Sequence, residues 1–468
     1  MKRVTKSTAK AKRTPVGKKA PPKKKAAPKK AVAKKAAPKK ASAKKAVPKK
    51  RASRPKIYIQ IASYRDPELL PTVLDCIEHA KYPEDLRFGV AWQHNPDDAW
   101  DTLDKFKTDS RFRVLDINYL DAPGVCFARN QLNGLWDGEE YTLQLDSHHR
   151  FAQDWDVTCI DMIVELQKTG VKKPLLTSYI PSYNPDSDPD GRVHEPWELT
   201  FDRFIPEGAI FMLPQSMPNW KDRTAPLPGR YLSAHFVFTL GAFCKEVPYD
   251  PNYYFHGEEI SMAVRAYTHG FDIFYPHKII AWHEYTRKGR TKQWDDDVKW
   301  GERNAACHLR NRQLFGMDGE ELIDMGEFGF GTTRTLDQYE RYSGISFSKR
   351  AIQQATLDNI EPPNNTKYDS EEEYQNSFLK IFKHCVDVAY SAVPLDDYDF
   401  WCVAFEAKDG TEVYRKDADA NEIRQMKNDP DGYCKIWRTF NAIEMPTKWI
   451  VWPHSLSQGW QDRLTGTI

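Results

Sequence analysis

From residue 56 onward the chain alternates between dense β-type runs and segments of helical periodicity. "KIYIQIASY" (56–64) predicts a strand. In "RDPELLPTVLDCIEHAKYP" (65–83), Leu69, Leu70, Val73, Leu74 and Ile77 recur at helical spacing, and Pro67 suits a first turn. "LRFGVAWQHN" (86–95) and "FRVLDINY" (112–119) predict two more strands, and "GVCFARNQLNGLW" (124–136) a helix opened by Gly124. "YTLQLD" then predicts a fourth strand ending at Asp146. Strand, helix, strand, strand, helix, strand is the order of an α/β sheet. In such sheets ligands sit at the carboxyl ends of the strands, which is where Asp146 would lie.

Further along, "DWDVTCIDMIVELQKTG" (154–170) predicts a helix and "KPLLTSYIP" (173–181) a strand. "SYNPDSDPDGRVHEP" (182–196) has the Pro, Asp, Asn and Gly content of a mobile loop. The block 231–291 predicts a strand, a short helix, an acidic turn, a helix from about Glu258 to His269, and a strand ending at Trp282 and His283. Past about 350 the composition changes. Residues 351–373, with "EPPNNTKYDSEEE" at 361–373, are expected as a linker, and 374–468 as a small α+β accessory domain. There "WCVAFEAKDGTEVYRKD" (401–417) reads as a hairpin turning at Asp409-Gly410, and "KWIVWPHSL" (448–456) as a strand.

The formal net charge of +2 conceals two unlike parts. Residues 1–55 hold 23 Lys and Arg and no Asp or Glu, which leaves 45 basic against 66 acidic side chains in the rest, a net of −21. The basic part repeats every five residues as "APKKA VAKKA APKKA SAKKA VPKKR" (27–51). It lacks the apolar surface that would offset ordering entropy, and its prolines favour extended segments, so disorder is expected. Such a tail attracts nucleic acid or another polyanion, or else folds back on the acidic body. Having no aromatics, it lacks the means to stack on single strands.

No apolar run reaches the roughly 18 residues of a membrane span, and no signal-peptide core follows the basic start. The eight cysteines are dispersed without a C-x-x-C pair, as expected of reduced thiols in a cytoplasmic or nuclear setting.

The chemistry gathers at strand ends. Asp146 and His148 are alternate residues at the end of an extended segment, so both can reach one ion. The same pattern also fits a surface turn, a helix cap or a structural histidine, and His149 next door is an equal candidate. A carboxylate with an imidazole suits Mn²⁺ or another first-row divalent ion better than Ca²⁺. His283, which follows the apolar run "KIIAW", is the candidate third ligand. "FHGEEI" (255–260) sets Glu258 and Glu259 side by side, for helix capping or for holding a sugar hydroxyl or an anomeric cation. "EYTRKGRTK" (284–292) brings Arg287, Lys288, Arg290 and Lys292 into a basic, Gly-containing loop of the kind a diphosphate needs, or one that is merely exposed.

Several ordered stretches carry a resemblance: "IYIQIASYRDPELLPTVLDCIEHAKYPEDLRFGVAWQ", "ARNQLNGLWDGEEYTLQLDSHHRF", "YLSAHFVFTLGAFCKEVPYDPNYYFHGEEISMAVRAYTHGFDIFYP", "WHEYTR" and "RTLDQYERYSGISF". Together they resemble the GlcNAc-transferase family, which includes cytoplasmic UDP-GlcNAc:polypeptide (hydroxyproline) transferases acting on an F-box adaptor protein. The resemblance spans about 56–350 and leaves out the tail and residues 374–468. It implies a GT-A (nucleotide-diphospho-sugar transferase) fold, a UDP-GlcNAc donor, a divalent cation (Mn²⁺, with Mg²⁺ as the alternative), and retention at the anomeric carbon. The acceptor would be a hydroxyl on a protein or glycan.

Carried onto this chain, the family's metal motif matches Asp146 and His148, and its later metal histidine matches His283. Arg129 matches a donor-contacting basic position, and Ala62, Ser63, Tyr64, Arg65 and Asp66 match the loop that receives uridine. Gly257, Glu258 and Glu259 match the segment near the sugar. Two histidines depart from the pattern: His149 stands where the family often has a hydrophobic residue, and His235 where a small one is expected. The competing reading, resting on the basic tail, is a polyanion-associated protein with a degenerate transferase domain.

Overall fold

The computed structural model describes residues 54–442 and 444–468. The tail expected over 1–55, with its polyanion partner, therefore lies almost wholly outside the described residues. Arg54–Ile468 forms one compact unit. The strands of its first part are β1 (Ile57–Tyr64), β2 (Leu86–His94), β3 (Phe112–Asn118), β4 (Tyr141–Asp146), β5 (His149–Phe151) and β6 (Pro174–Thr177). They continue as β7 (Trp197–Phe204), β8 (Ile210–Ser216), β9 (Leu227–Pro228), β10 (Phe236–Leu240), β11 (Asp272–Tyr275) and β12 (Ala281–His283). The helices used below are α1 (Leu69–Glu78), α2 (Val125–Asn133), α3 (Trp155–Lys168), α4 (Phe243–Glu246) and α5 (Glu258–Thr268).

Eight strands make one sheet in the order β3-β2-β1-β4-β10-β6-β11-β9. The first four run parallel, so their carboxyl ends share one rim. β10 runs antiparallel to both its neighbours, β4 and β6. Alternate residues of the central strands face opposite layers. Ile57, Ile59 and Ile61 of β1 join Phe88, Val90, Leu143 and Leu145 against Leu69 and Val73 of α1 and Trp155 and Met162 of α3. On the other face Ala62 and Ala91 meet Ala128 and Leu132 of α2. The Tyr58 hydroxyl, donating to the Leu132 carbonyl at 2.8 Å, fills the space a Cβ on residue 89 would need, which explains Gly89 in the middle of a buried strand.

The expected elements up to residue 170 are present with trimmed ends. The strand expected over 173–181 is shorter, covering only Pro174–Thr177. The 182–196 loop has a single turn of 3-10 helix, Pro185–Ser187, and it is anchored by Tyr183, which is buried. Beyond it the β7–β8 hairpin pairs antiparallel with a bulge between Phe201 and Arg203.

Residues 351–373 include the buried strand Ala351–Gln353, and Asn364 accepts a 2.6 Å hydrogen bond from buried Arg230. The C-terminal part builds its own core, with Trp401, Val403, Phe405, Ile436 and Val451 among its members. Ile381–Ala389 pairs with Tyr433–Asn441 as one antiparallel sheet. Tyr398–Glu406 and Lys448–Ser455 lie side by side in a second, six-stranded sheet. The hairpin turning at Gly410 is present, with φ +89° there. Strand outweighs helix in this part, since Ala420–Met426 is the one α-helix among the described residues beyond 377.

Candidate active site

The parallel register of β1 and β4 sets Ala62 opposite Asp146, so the chain leaving β1 and the chain leaving β4 emerge side by side. β5 then pairs antiparallel with β12, with His149 opposite His283. Ser182 bridges to His283, and the Glu284 amide donates to the His148 carbonyl at 3.2 Å. Two short strands thus bring residues 146–148 and residue 283 to one point.

At that point a donor atom each of Asp146, His148 and His283 lies within 4.8 Å of the others. Asp146 Oδ2 stands 3.8 Å from His148 Nε2 and 3.7 Å from His283 Nε2, wider than hydrogen bonds. Asp146 Oδ1 is taken by Arg129, whose Nη2 donates to it at 2.8 Å. Burial opposes ionisation of Asp146, but His283, Arg129 and His148 hold its carboxyl well below the usual range. Both ring nitrogens of His283 are buried without a hydrogen-bond partner. A carboxylate oxygen facing two imidazole nitrogens, one of them on a ring with no other bond, fits a divalent first-row cation.

His148 is oriented from behind. Its Nδ1 donates to Asp66 Oδ2 at 2.8 Å, which leaves Nε2 as the lone pair turned toward Asp146. Asp66 also accepts from Ser147 Oγ at 2.7 Å and from Arg290 Nη1 at 3.2 Å. Its burial would raise its carboxyl, but the His148 bond and the Arg290 charge leave it lowered. Arg290 is shared between Asp66 and buried Glu284, whose Oε2 lies 2.5 Å from Nη2. The carboxylate–histidine arrangement is that of a second shell holding a ligand's tautomer and angle.

The two departing histidines take other bonds. His149 Nδ1 donates to the Asp146 carbonyl at 3.0 Å, and its Nε2 is buried without a hydrogen-bond partner. His235 Nε2 accepts the Ile180 amide at 3.3 Å, so Nδ1 donates to Ser233 Oγ at 3.0 Å, and the ring stacks on His283 with centroids 4.2 Å apart. His235 therefore buttresses His283.

Across the space in front of Asp146, α5 begins at Gly257, whose φ of +96° suits a residue without a side chain. Glu258 and Glu259 occupy its first turn. Glu259 is anchored: Oε1 accepts the Ala234 amide at 2.8 Å and Oε2 the Tyr179 hydroxyl at 2.9 Å. Glu258 has its Oε1 3.8 Å from Arg129 Nη1 as its nearest cation contact. Burial first, then the neighbouring Glu259 charge, pushes the Glu258 carboxyl up, and burial also raises Glu259.

A cavity of about 550 Å³ is lined by Asp146, His283, Arg129, Glu258, Glu259 and Arg287, among others. Its far wall is the β7–β8 hairpin, with Ile210, Met212 and Leu213. Arg287 is exposed, with its guanidinium 5.4 Å from the Trp294 ring. None of the residues of the expected uridine loop, Ala62 to Asp66, lines this cavity. Ala62, Ser63 and Tyr64 end β1, the Tyr64 hydroxyl donates to Asp296 at 2.9 Å, and Arg65 bridges Asp98 and Asp296 at 3.0 and 2.9 Å. Tyr179, His235 and Tyr285 line the cavity beside the acidic pair; of the three, Tyr179 stands in no motif that the sequence singles out.

The model of the glycosyltransferase (GlcNAc) family matches residues 56–111 and 102–349, so the chain belongs to that family. Its α/β sheet is the GT-A sheet expected of such a transferase. Solved structures similar to it include GalNAc-T7 with UDP, GalNAc and Mn²⁺, at 13% identity and TM-score 0.41 over 61% of this chain and 54% of that one. The matched part is thus little more than half of the GalNAc-T7 chain. Another is S. aureus TarS 1–349 in complex with UDP-GlcNAc, at 14% identity and TM-score 0.35 over 55% of this chain and 67% of that one. A third is the mannosyltransferase PcManGT from Pyrobaculum calidifontis with GDP-Man and Mn²⁺, at 11% identity and TM-score 0.33 over 51% and 59%. Among curated proteins none matches the chain in sequence.

Proposed function

We propose that this protein is a metal-dependent retaining glycosyltransferase that moves GlcNAc from UDP-GlcNAc to a hydroxyl on a protein or glycan acceptor, in the cytoplasm. The observation that carries the reading is the convergence of Asp146, His148 and His283 on one point, with Asp146, His283 and Glu258 lining one cavity. Among the described residues no helix is long and apolar enough to cross a membrane.

Asp146, His148 and His283 would hold the cation, Mn²⁺ in preference to Mg²⁺ given two imidazoles. When bound, the cation supplies Lewis-acid neutralisation of the departing diphosphate. Arg129 fixes Asp146 by one oxygen, and its Nη1, 3.8 Å from Glu258, ties the metal corner to the acidic turn. Arg287, on the exposed loop, adds a charge-assisted contact to the diphosphate. Arg290 acts from behind, through Asp66 and His148. Ala62 to Asp66 border the uridine.

The acceptor oxygen bonds to the anomeric carbon from the face the diphosphate leaves. The bond from that carbon to the diphosphate oxygen breaks, and the acceptor proton passes to the departing phosphate. Glu258 stabilises the positive charge that grows on the sugar, and Glu259 holds the helix start in place through Ala234 and Tyr179. The deciding experiment measures UDP affinity and UDP-GlcNAc turnover with and without Mn²⁺ for the wild type and His148→Ala. Metal-dependent turnover that the substitution abolishes supports the reading. Absence of UDP binding under every metal condition overturns it.

A further inference from the structure

On the six-stranded C-terminal sheet, Trp452 and Trp460 are 37% and 46% exposed, and their rings lie 4.4 Å apart. Strand alternation brings His454 to the same face as Trp452. Pairing then sets Phe400 opposite His454, and His454 opposite Trp460. Phe400 stacks on His454 at 5.1 Å and meets Trp460 edge-on at 5.3 Å. The four rings are therefore one contacting cluster, with Trp452 and Trp460 tilted 36° to each other and Trp460 standing edge-on to Phe400 and His454. The Trp452 indole N–H is fixed by the Gln461 carbonyl at 2.9 Å, which holds that ring in place.

Polar pairs rim this surface. His454 Nδ1 is 2.7 Å from Asp399 Oδ1, which leaves the second Asp399 oxygen without a bond to this histidine. Arg415 and Asp417, paired at 2.9 and 3.0 Å, stand beside the strand that carries Phe400. None of these residues contributes to the core that Trp401, Val403 and Val451 build on the other side of the sheet.

We propose that this face binds a carbohydrate chain, with a pyranose ring laid on the exposed side of the Trp452–Trp460 pair and its hydroxyls bonded to Asp399 and His454. A pyranose has an apolar C–H face ringed by hydroxyls, and it matches an exposed indole face with paired donors and acceptors beside it. A stable protein interface needs roughly 20–30 residues a side, far more than two tryptophans, a phenylalanine and a histidine provide. The platform lies outside the residues that line the transfer cavity. It would retain a glycan-bearing acceptor or product, and it stands whether or not the donor is UDP-GlcNAc.

The test is calorimetric titration of the whole chain with N-acetylchitotetraose, cellotetraose and maltotetraose. Saturable binding of at least one is expected, weakened about tenfold or more by Trp452→Ala and by Trp460→Ala. Trp437→Ala, at an exposed tryptophan on the other C-terminal sheet, should bind as the wild type does. Should Trp452→Ala misfold by circular dichroism, Trp460→Ala and Asp399→Asn decide alone. No binding of any of the three by the wild type, or equal binding by the Trp460 and Trp437 variants, overturns the proposal. Unchanged UDP affinity in the Trp460 variant separates this outcome from failure of the transferase reading.

Discussion

Two pairs of acidic residues flank the cavity region, and the fold treats them in opposite ways. Asp66 and Asp146 are set among His148, His283, Arg129 and Arg290, and both are lowered although burial works against it. Glu258 and Glu259 share one distant arginine, and burial raises both. Environments that drive carboxyl groups apart mark different duties in one site. The first pair keeps its charge at neutral pH, as a cation corner requires. The second holds its proton more tightly, so Glu258 must lose it before it can face positive charge on the sugar.

The largest break in this contrast is Asp146→Ala. It removes the oxygen that faces both imidazoles and strands Arg129 without its partner. Charge stabilisation of several kcal/mol should go with it, about three orders of magnitude in turnover. Excess Mn²⁺ should not restore activity, and steady-state assays across a Mn²⁺ series would check this. Recovery at high metal would make Asp146 dispensable to the cation.

Glu258→Gln tests the opposite pair. Loss of the carboxylate should lower kcat about a hundredfold while UDP affinity stays put. The sign of the pH effect follows from the raised carboxyl: its proton must leave before it can face positive charge, so wild-type kcat rises with pH through that titration. The glutamine variant should lack the rise. Identical profiles for the two proteins would remove Glu258 from the transfer step.

A smaller effect is expected at Asp66→Asn, which keeps an acceptor for His148 but loses the charge that Arg290 neutralises. Mn²⁺ affinity should fall roughly 10–100-fold, with turnover returning at saturating metal. That rescue is what separates a positioning residue from Asp146, and a metal titration followed by UDP binding reads it directly.

The contrast was only half legible in the sequence. Asp146 and His148 could be read because a six-residue strand ends there, and His283 because an apolar run stops at it. The second role of Asp66 could not, since it depends on two parallel strands laying residue 66 beside residue 148. Arg290 looked like a free phosphate contact for the same reason: its partners, Asp66 and Glu284, become neighbours only in the folded chain. The β7–β8 hairpin was passed over, although "WELTFDRF" alternates as a strand should; Pro214 in its partner weakens that signal. Near-equivalence of Glu258 and Glu259 in sequence dissolves once Ala234 and Tyr179 claim one of them.

Glu198 supplies the finest test, because it is a raised carboxyl with no part in the site. It lies on β7, 3% exposed, while its neighbour Trp197 lines the cavity; successive strand residues point to opposite faces. Burial raises it from 4.5 to about 7, helped by the Glu361 charge and opposed by Arg223 and by the Asn359 amide, which donates to it at 2.7 Å. Because its folded value lies above its unfolded one, its contribution to stability is complete below about pH 4.5 and is lost as pH rises through about 7. Glu198→Gln keeps an acceptor for Asn359 and cannot ionise. Its melting temperature should match the wild type near pH 4 and exceed it by pH 8, by an amount worth on the order of 1–3 kcal/mol. Turnover should not change at either pH. A melting difference that stays constant with pH would mean burial does not raise this carboxyl, and the same inference at Glu258 would weaken with it.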